Sequence, residues 1–137
     1  KITIYLQFDI MGKFPYNMRQ EILHMQVNFF RRLNGDCPIE KYLDTLAPKL
    51  RVKTLRSIML LEEFGTDLRL PYSAPLEDGL YELRSILGTD ITRVVYFFIV
   101  GNQAVLTHGF TKKTQKTPRS EIEKAKKYRQ EYFTQNK

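Results

Sequence analysis

The chain is poor in the groups that most enzyme chemistry uses. It has one cysteine, Cys37, and two histidines, His24 and His108, in 137 residues. One thiol forms no internal disulfide and suits a reducing, cytoplasmic compartment. We read Cys37 as a spare thiol near a helix start rather than as a nucleophile. Two histidines without an acidic cluster make a metal centre unexpected, and there is no paired-cysteine zinc pattern, P-loop, dinucleotide fingerprint or HExxH helix. No metal and no cofactor are therefore expected. Nothing points to a Ser-His-Asp triad either. The longest apolar run is VVYFFIV, Val94 to Val100, far below the roughly 20 residues of a spanning helix. No signal-peptide pattern opens the chain, so neither a membrane nor secretion is expected. There are no internal repeats and no low-complexity tract.

What is present is positive charge, unevenly placed. The net charge is +7, and residues 112 to 137 alone hold nine lysines and arginines against three acids. A solvated helix face is the plain reading of such a run, and a polyanionic or acidic partner is the functional one. Hydrophobic residues make up 42% of the chain, enough for one core in a single domain.

The first ten residues, KITIYLQFDI, alternate apolar and polar side chains as an edge strand would. Met25 is a reasonable translation start, so residues 1 to 24 are expected to form an extension outside a core domain of residues 25 to 137. MQVNFFRR then reads as a strand, and the turn signal LNGD leads to a first helix near Pro38, with Ile39, Tyr42, Leu43 and Leu46 at helical spacing. A second helix should run from Pro48 to Phe64, with Leu50, Thr54, Ile58, Leu61 and Phe64 on one stripe and Gly65 as its stop. After the turn-rich loop LPYSAPLEDG come three strands, residues 80 to 86, 92 to 100 and 104 to 110. Gly88-Thr89-Asp90 and the tighter Gly101-Asn102 join them. A last helix is expected from Pro118, capped by Thr117 or, alternatively, by the Ser120 and Glu123 box. Ile122, Ala125, Tyr128 and Tyr132 would pack and the basic side would stay in water. This order predicts an α+β fold: a small twisted antiparallel sheet packed by an N-terminal helical hairpin, with a basic C-terminal helix.

Two arginines fall on adjacent strands. Glu82, Arg84 and Ile86 share one face, and Arg93, Val95, Phe97 and Ile99 share another. A mid-strand guanidinium must stay wet or find an anion. For Arg84 the bland partner is Glu62 or Glu63 of the second helix; for His108 the bland state is half-buried and satisfied, and the functional one faces the same anion as Arg84. Tyr96 reads as core. A cluster of cations suits metal-free RNA cleavage, in which the ribose 2′-OH attacks, a basic group takes its proton and cations stabilise the phosphorane charge.

The runs LPYSAPLEDGLYELR and TRVVYFFIVGNQAVLTHGFTKKTQKTPRSEIEKAKKY, preceded by NGDCPIEKYLDTLAPKLRVKTLRSIMLLEEFG, resemble the phage-derived, HigB-like branch of the RelE superfamily of toxins. The likeness covers about Met25 to Phe133. It implies a RelE-like fold and a toxin of a type II toxin–antitoxin system, a metal-independent endoribonuclease that cuts mRNA in the ribosomal A site and is neutralised by a cognate antitoxin. By the same resemblance, Arg84 is the phosphate clamp, and Lys112 and Lys113 share charge stabilisation and proton transfer. His108, Arg93, Gln115 and Lys116 support them, and Arg119, Lys124 and Lys127 offer RNA a basic helix. Ala74 and Thr92 stand where relatives often carry a lysine and an aromatic, which implies a weaker grip on RNA or another codon preference. The other readings are a non-catalytic RNA- or ribosome-binding module and a binder of an acidic protein.

Overall fold

The computed structural model describes residues 25 to 100, 102 to 113 and 115 to 136. The expected strand and extension within residues 1 to 24 lie outside them. The described elements are β1 (Gln26–Phe29), α1 (Pro38–Thr45), α2 (Pro48–Phe64), a 3₁₀ turn (Gly65–Asp67), β2 (Ser73–Pro75), β3 (Leu80–Leu87), β4 (Asp90–Ile99), β5 (Gln103–Lys112) and α3 (Arg119–Gln135). The strands form one sheet in the order β1-β5-β4-β3-β2. The α+β architecture holds. The sheet is mixed rather than antiparallel throughout, because β1 runs parallel to β5 while the other pairs are antiparallel. No helix among the described residues is long and apolar enough to cross a membrane.

Helices cover both faces. The α1–α2 hairpin packs on one, over Leu83, Val94, Tyr96, Ala104 and Leu106. Helix α3 packs on the other through Ile122 and Ala125, over Leu80, Val95, Phe97, Val105 and Phe110. Both helices of the hairpin begin with proline, whose fixed φ suits a first turn and whose missing N–H costs nothing there. Gly65 ends α2 at φ 55, a backbone that side chains with a Cβ avoid. The buried stripe of α2 departs from expectation at its end: Glu62 is buried, whereas Phe64 is 46% exposed. There the chain leaves the helix for the 3₁₀ turn, so the last apolar position no longer meets the sheet.

Two local features set the faces of β5. Val95 pairs with His108 and Tyr96 with Leu106, so Thr107 is an extra residue, and its hydroxyl donates to the Val95 carbonyl at 3.1 Å. The bulge moves His108 and Phe110 onto the α3 face, although Ala104 and Leu106 lie on the hairpin face. Next to it, Gly109 lies under Tyr42 of α1, and a Cβ built there would meet the ring at 2.2 Å. The Tyr42 hydroxyl also bonds the Thr111 hydroxyl at 2.7 Å, which pins the ring. Gly109→Ala is therefore expected to lower stability by about 1 to 3 kcal/mol through overpacking. Thermal unfolding beside wild type checks this; an unchanged midpoint would mean that α1 yields freely.

Candidate functional site

Antiparallel pairing places Arg84 opposite Arg93, and Arg93 opposite Phe110, all on the α3 face. Two register rows further on, Ile86, Ile91 and Lys112 are paired, so Lys112 ends β5 on the face that carries Arg84. The segment after Lys112 crosses back over the sheet. Its Gln115 side-chain oxygen accepts a bond from Arg84 Nη2 at 2.5 Å, and the Thr117 hydroxyl accepts one from Arg93 Nη1 at 3.2 Å.

Glu82 joins the two arginines. Its carboxylate accepts a 2.5 Å bond from the Thr117 hydroxyl and lies 3.7 Å from Arg84 Nε. Glu82 and Arg93 are both buried, Arg93 completely. Burial lowers the pKa of Arg93, Glu82 works against that, and the neighbouring Arg84 adds to it. Arg93 is thus an internal brace that ties β4 to the segment before α3. The anion beside Arg84 within the chain is Glu82 of its own strand, in place of the bland alternative, Glu62 or Glu63 of α2. Neither oxygen of Glu62 has a hydrogen-bond partner among the described residues. Thr117 is likewise no helix cap: Pro118 occupies the N-cap position and no side chain caps the helix, because the threonine hydroxyl is committed to the buried charges.

His108 lies on the same face but is sealed beneath α3 and 3% exposed. Its Nε2 is 3.1 Å from Glu121 Oε1 and its Nδ1 is 3.0 Å from the Thr107 hydroxyl. Burial pushes its pKa down to about 4 against the opposing pull of Glu121, so the imidazole is neutral near pH 7. Lys112, Lys113, Gln115 and Lys116 are exposed, and Gln115 ties their segment to Arg84. His108 does not join them.

Much of the basic face of α3 is committed within the molecule. Arg119 and Lys126 both bind Glu77, the latter at 2.6 Å, and Arg129 binds Asp78 at 2.7 Å, so α3 is clamped to the turn between β2 and β3. Hydrogen bonds from Arg119 and then Lys126 hold the Glu77 carboxyl down at about 2. Lys124 lies 3.7 Å from Glu121 and, like Lys127, is exposed. Among the described residues, the exposed cations of this region are Lys112, Lys113 and Lys116 before the helix and Arg119, Lys124 and Lys127 along it.

Tyr96 is core as expected, buried and bonded to the Ser73 hydroxyl at 2.6 Å, with burial pushing its pKa up to about 12. Thr92 lies on the hairpin face, where its hydroxyl meets that of Thr54 at 3.0 Å, so an aromatic there would pack under α2, away from Arg84. Ala74 pairs with Glu82 from the edge strand β2. The residue that sequence reasoning passed over is Glu82, and its signal was the i, i+2 spacing to Arg84 on one strand face.

No curated protein is similar enough to the chain to match it. A family model does match residues 41–130, that of the phage derived protein Gp49-like family (DUF891). The matched span takes in the second half of α1, α2, strands β2 to β5, Arg84 with its braces and most of α3, and the chain belongs to the Gp49-like family of phage-derived proteins.

Proposed function

We propose that the protein is the toxin of a type II toxin–antitoxin pair of the HigB-like kind, a cytoplasmic, metal-independent endoribonuclease that cuts mRNA in the ribosomal A site and is held inactive by a cognate antitoxin. The observation that carries this reading is the placement of Arg84: fixed by Glu82 and Gln115, it lies two register rows from Lys112 on one face of the sheet, and Lys113 and Lys116 of the segment that carries Gln115 are exposed. Membership of a toxin-like family related to RelE and HigB supports it.

Arg84 would grip the scissile phosphate with its planar fork and stabilise the charge that builds on the phosphorus oxygens as the 2′-OH attacks. Lys112 and Lys113 would share that charge and the proton transfers. Gln115 and Lys116 would position the backbone, Lys127 with Arg119 and Lys124 would meet RNA along α3, and Arg93 would hold the segment that carries Gln115. His108 would act by fixing α3 against β5, without touching the substrate.

Cleavage of a short mRNA programmed into purified ribosomes, with the cut ends mapped, tests this. Discrete A-site cuts are expected, slowed about 100- to 1000-fold by Arg84→Ala and strongly by Lys113→Ala. Arg84→Ala cleaving at the wild-type rate would refute the assignment. The burial of His108 favours a second reading, a non-catalytic RNA- or ribosome-binding module, since the one described histidine does not reach the basic cluster. Tight, salt-sensitive ribosome binding without any cleavage would establish that reading instead.

A further inference from the structure

Strand β2 covers only Tyr81 to Leu83 of its neighbour, so the flank of β3 from Arg84 to Leu87 has no strand beside it on that side among the described residues. A groove of about 320 Å³ opens there, between this flank, α2 and the segment that leads into β2. That volume falls within the range of small-ligand sites, about 300 to 1,000 Å³. Its walls include three cations, Lys53, Arg56 and Arg84, and no carboxylate. Tyr72, half exposed, forms the outer wall, and Ile86 the end.

The parts are held in place. The Arg84 N–H donates to the Tyr72 carbonyl at 2.8 Å, which seats the tyrosine directly beside the arginine. The Ser57 and Ser85 hydroxyls bond at 2.6 Å and tie α2 to β3 across the floor. Lys53 Nζ donates one bond to the Ile86 carbonyl at 2.6 Å, which leaves its other two donors for a ligand. Arg56 is exposed, and its side chain makes no hydrogen bond or ion pair among the described residues.

We infer that this groove binds the nucleotide adjoining the phosphate held by Arg84, with its base stacked on Tyr72 and its phosphate on Arg56 and Lys53. Cations that line a groove without acids, beside one exposed aromatic, are what single-stranded nucleic acid recognition uses: the charges follow the backbone and the ring takes any base. Arg84 belongs to both the groove and the basic cluster, so a strand laid along the β3 flank passes from one to the other. The inference rests on the proposed RNA substrate and adds where the strand runs.

Binding of a short, fluorescently labelled single-stranded RNA with 2′-O-methyl riboses, which cannot be cut, is measured by anisotropy on the full chain over a salt series. Tyr72→Ala is expected to weaken binding about tenfold and Tyr72→Phe to restore it. Arg56→Ala should reduce the slope of log affinity against log salt by about 0.7. Both side chains are exposed, and melting curves confirm that the variants fold. Unchanged affinity in Tyr72→Ala and an unchanged slope in Arg56→Ala would overturn the inference. So would a glutamate-rich peptide that binds with the same dependence while the RNA does not, which would make the groove an acidic-peptide site. The ribosomal cleavage assay separates the two readings. Wild type that never cleaves yet binds RNA through Tyr72 and Arg56 ends the nuclease assignment and keeps the groove. Tyr72→Ala and Arg56→Ala that cleave and bind as wild type end the groove and keep the nuclease.

Discussion

Glu82→Ala is expected to destabilise the protein by about 3 to 5 kcal/mol. The substitution removes the carboxylate that faces a fully buried guanidinium, Arg93, and takes away the acceptor of the Thr117 hydroxyl. A buried charge that loses its counter-ion bears its whole desolvation penalty, which is far more than an exposed ion pair is worth. The same carboxylate lies against Arg84, so the variant should also loosen the residues around the candidate site. Urea denaturation of Glu82→Ala, Arg93→Met and the pair Glu82→Leu with Arg93→Met gives the coupling. The double variant should be far less damaged than the sum of the single ones. Simple additivity would mean that the two side chains do not act as a unit.

Glu62→Met should raise stability above pH 7, by about 3 kcal/mol. Burial pushes the Glu62 carboxyl from an ordinary 4.5 up to about 7, and neither of its oxygens has a hydrogen-bond partner among the described residues. Between those two values the folded chain keeps a proton that the unfolded chain has lost, so this group's contribution falls as pH rises from 4.5 and is fully lost above 7. A gap of this size corresponds to about 3 kcal/mol, and a thioether of similar shape avoids it. His108 acts in the opposite sense. Burial holds it near 4, below its ordinary 6.5, so its contribution is present above pH 6.5 and is lost as pH falls toward 4. The two slopes oppose each other between about pH 4.5 and 6.5. Removing Glu62 should therefore expose a steeper loss of stability on acidification through that window. Denaturation midpoints of wild type and Glu62→Met at pH 8 and pH 5 test this. Equal midpoints at pH 8 would show that Glu62 is not held in a charge-averse site.

The helical hairpin was legible because its signals are local: a proline opens each helix, the apolar residues recur at helical spacing, and Gly65 ends the second. The three long strands were legible for the same reason. The three-residue strand β2 was not, since Ser73–Pro75 looks like the loop it interrupts and becomes a strand only against Tyr81 to Leu83. Of the candidate site, Arg84 and the lysines of residues 112 to 116 could be singled out by type and position. Glu82 as the partner of Arg84 showed only as an i, i+2 spacing on one strand, and the commitment of Arg119, Lys126 and Arg129 to Glu77 and Asp78 could not be seen in advance.

By itself, the sequence determined that the chain makes an α+β domain, where its helices and long strands run, and that its positive charge collects after β5. These follow from periodicity, turn chemistry and composition, which act over a few neighbouring residues. The tertiary structure alone decided that β1 joins the sheet in parallel, that the bulge at Thr107 turns His108 under α3, that Thr117 serves buried charges instead of a helix end, and that Tyr72 and Arg56 flank Arg84. Each of these depends on groups from different elements meeting in space, where burial and pairing outweigh local preference.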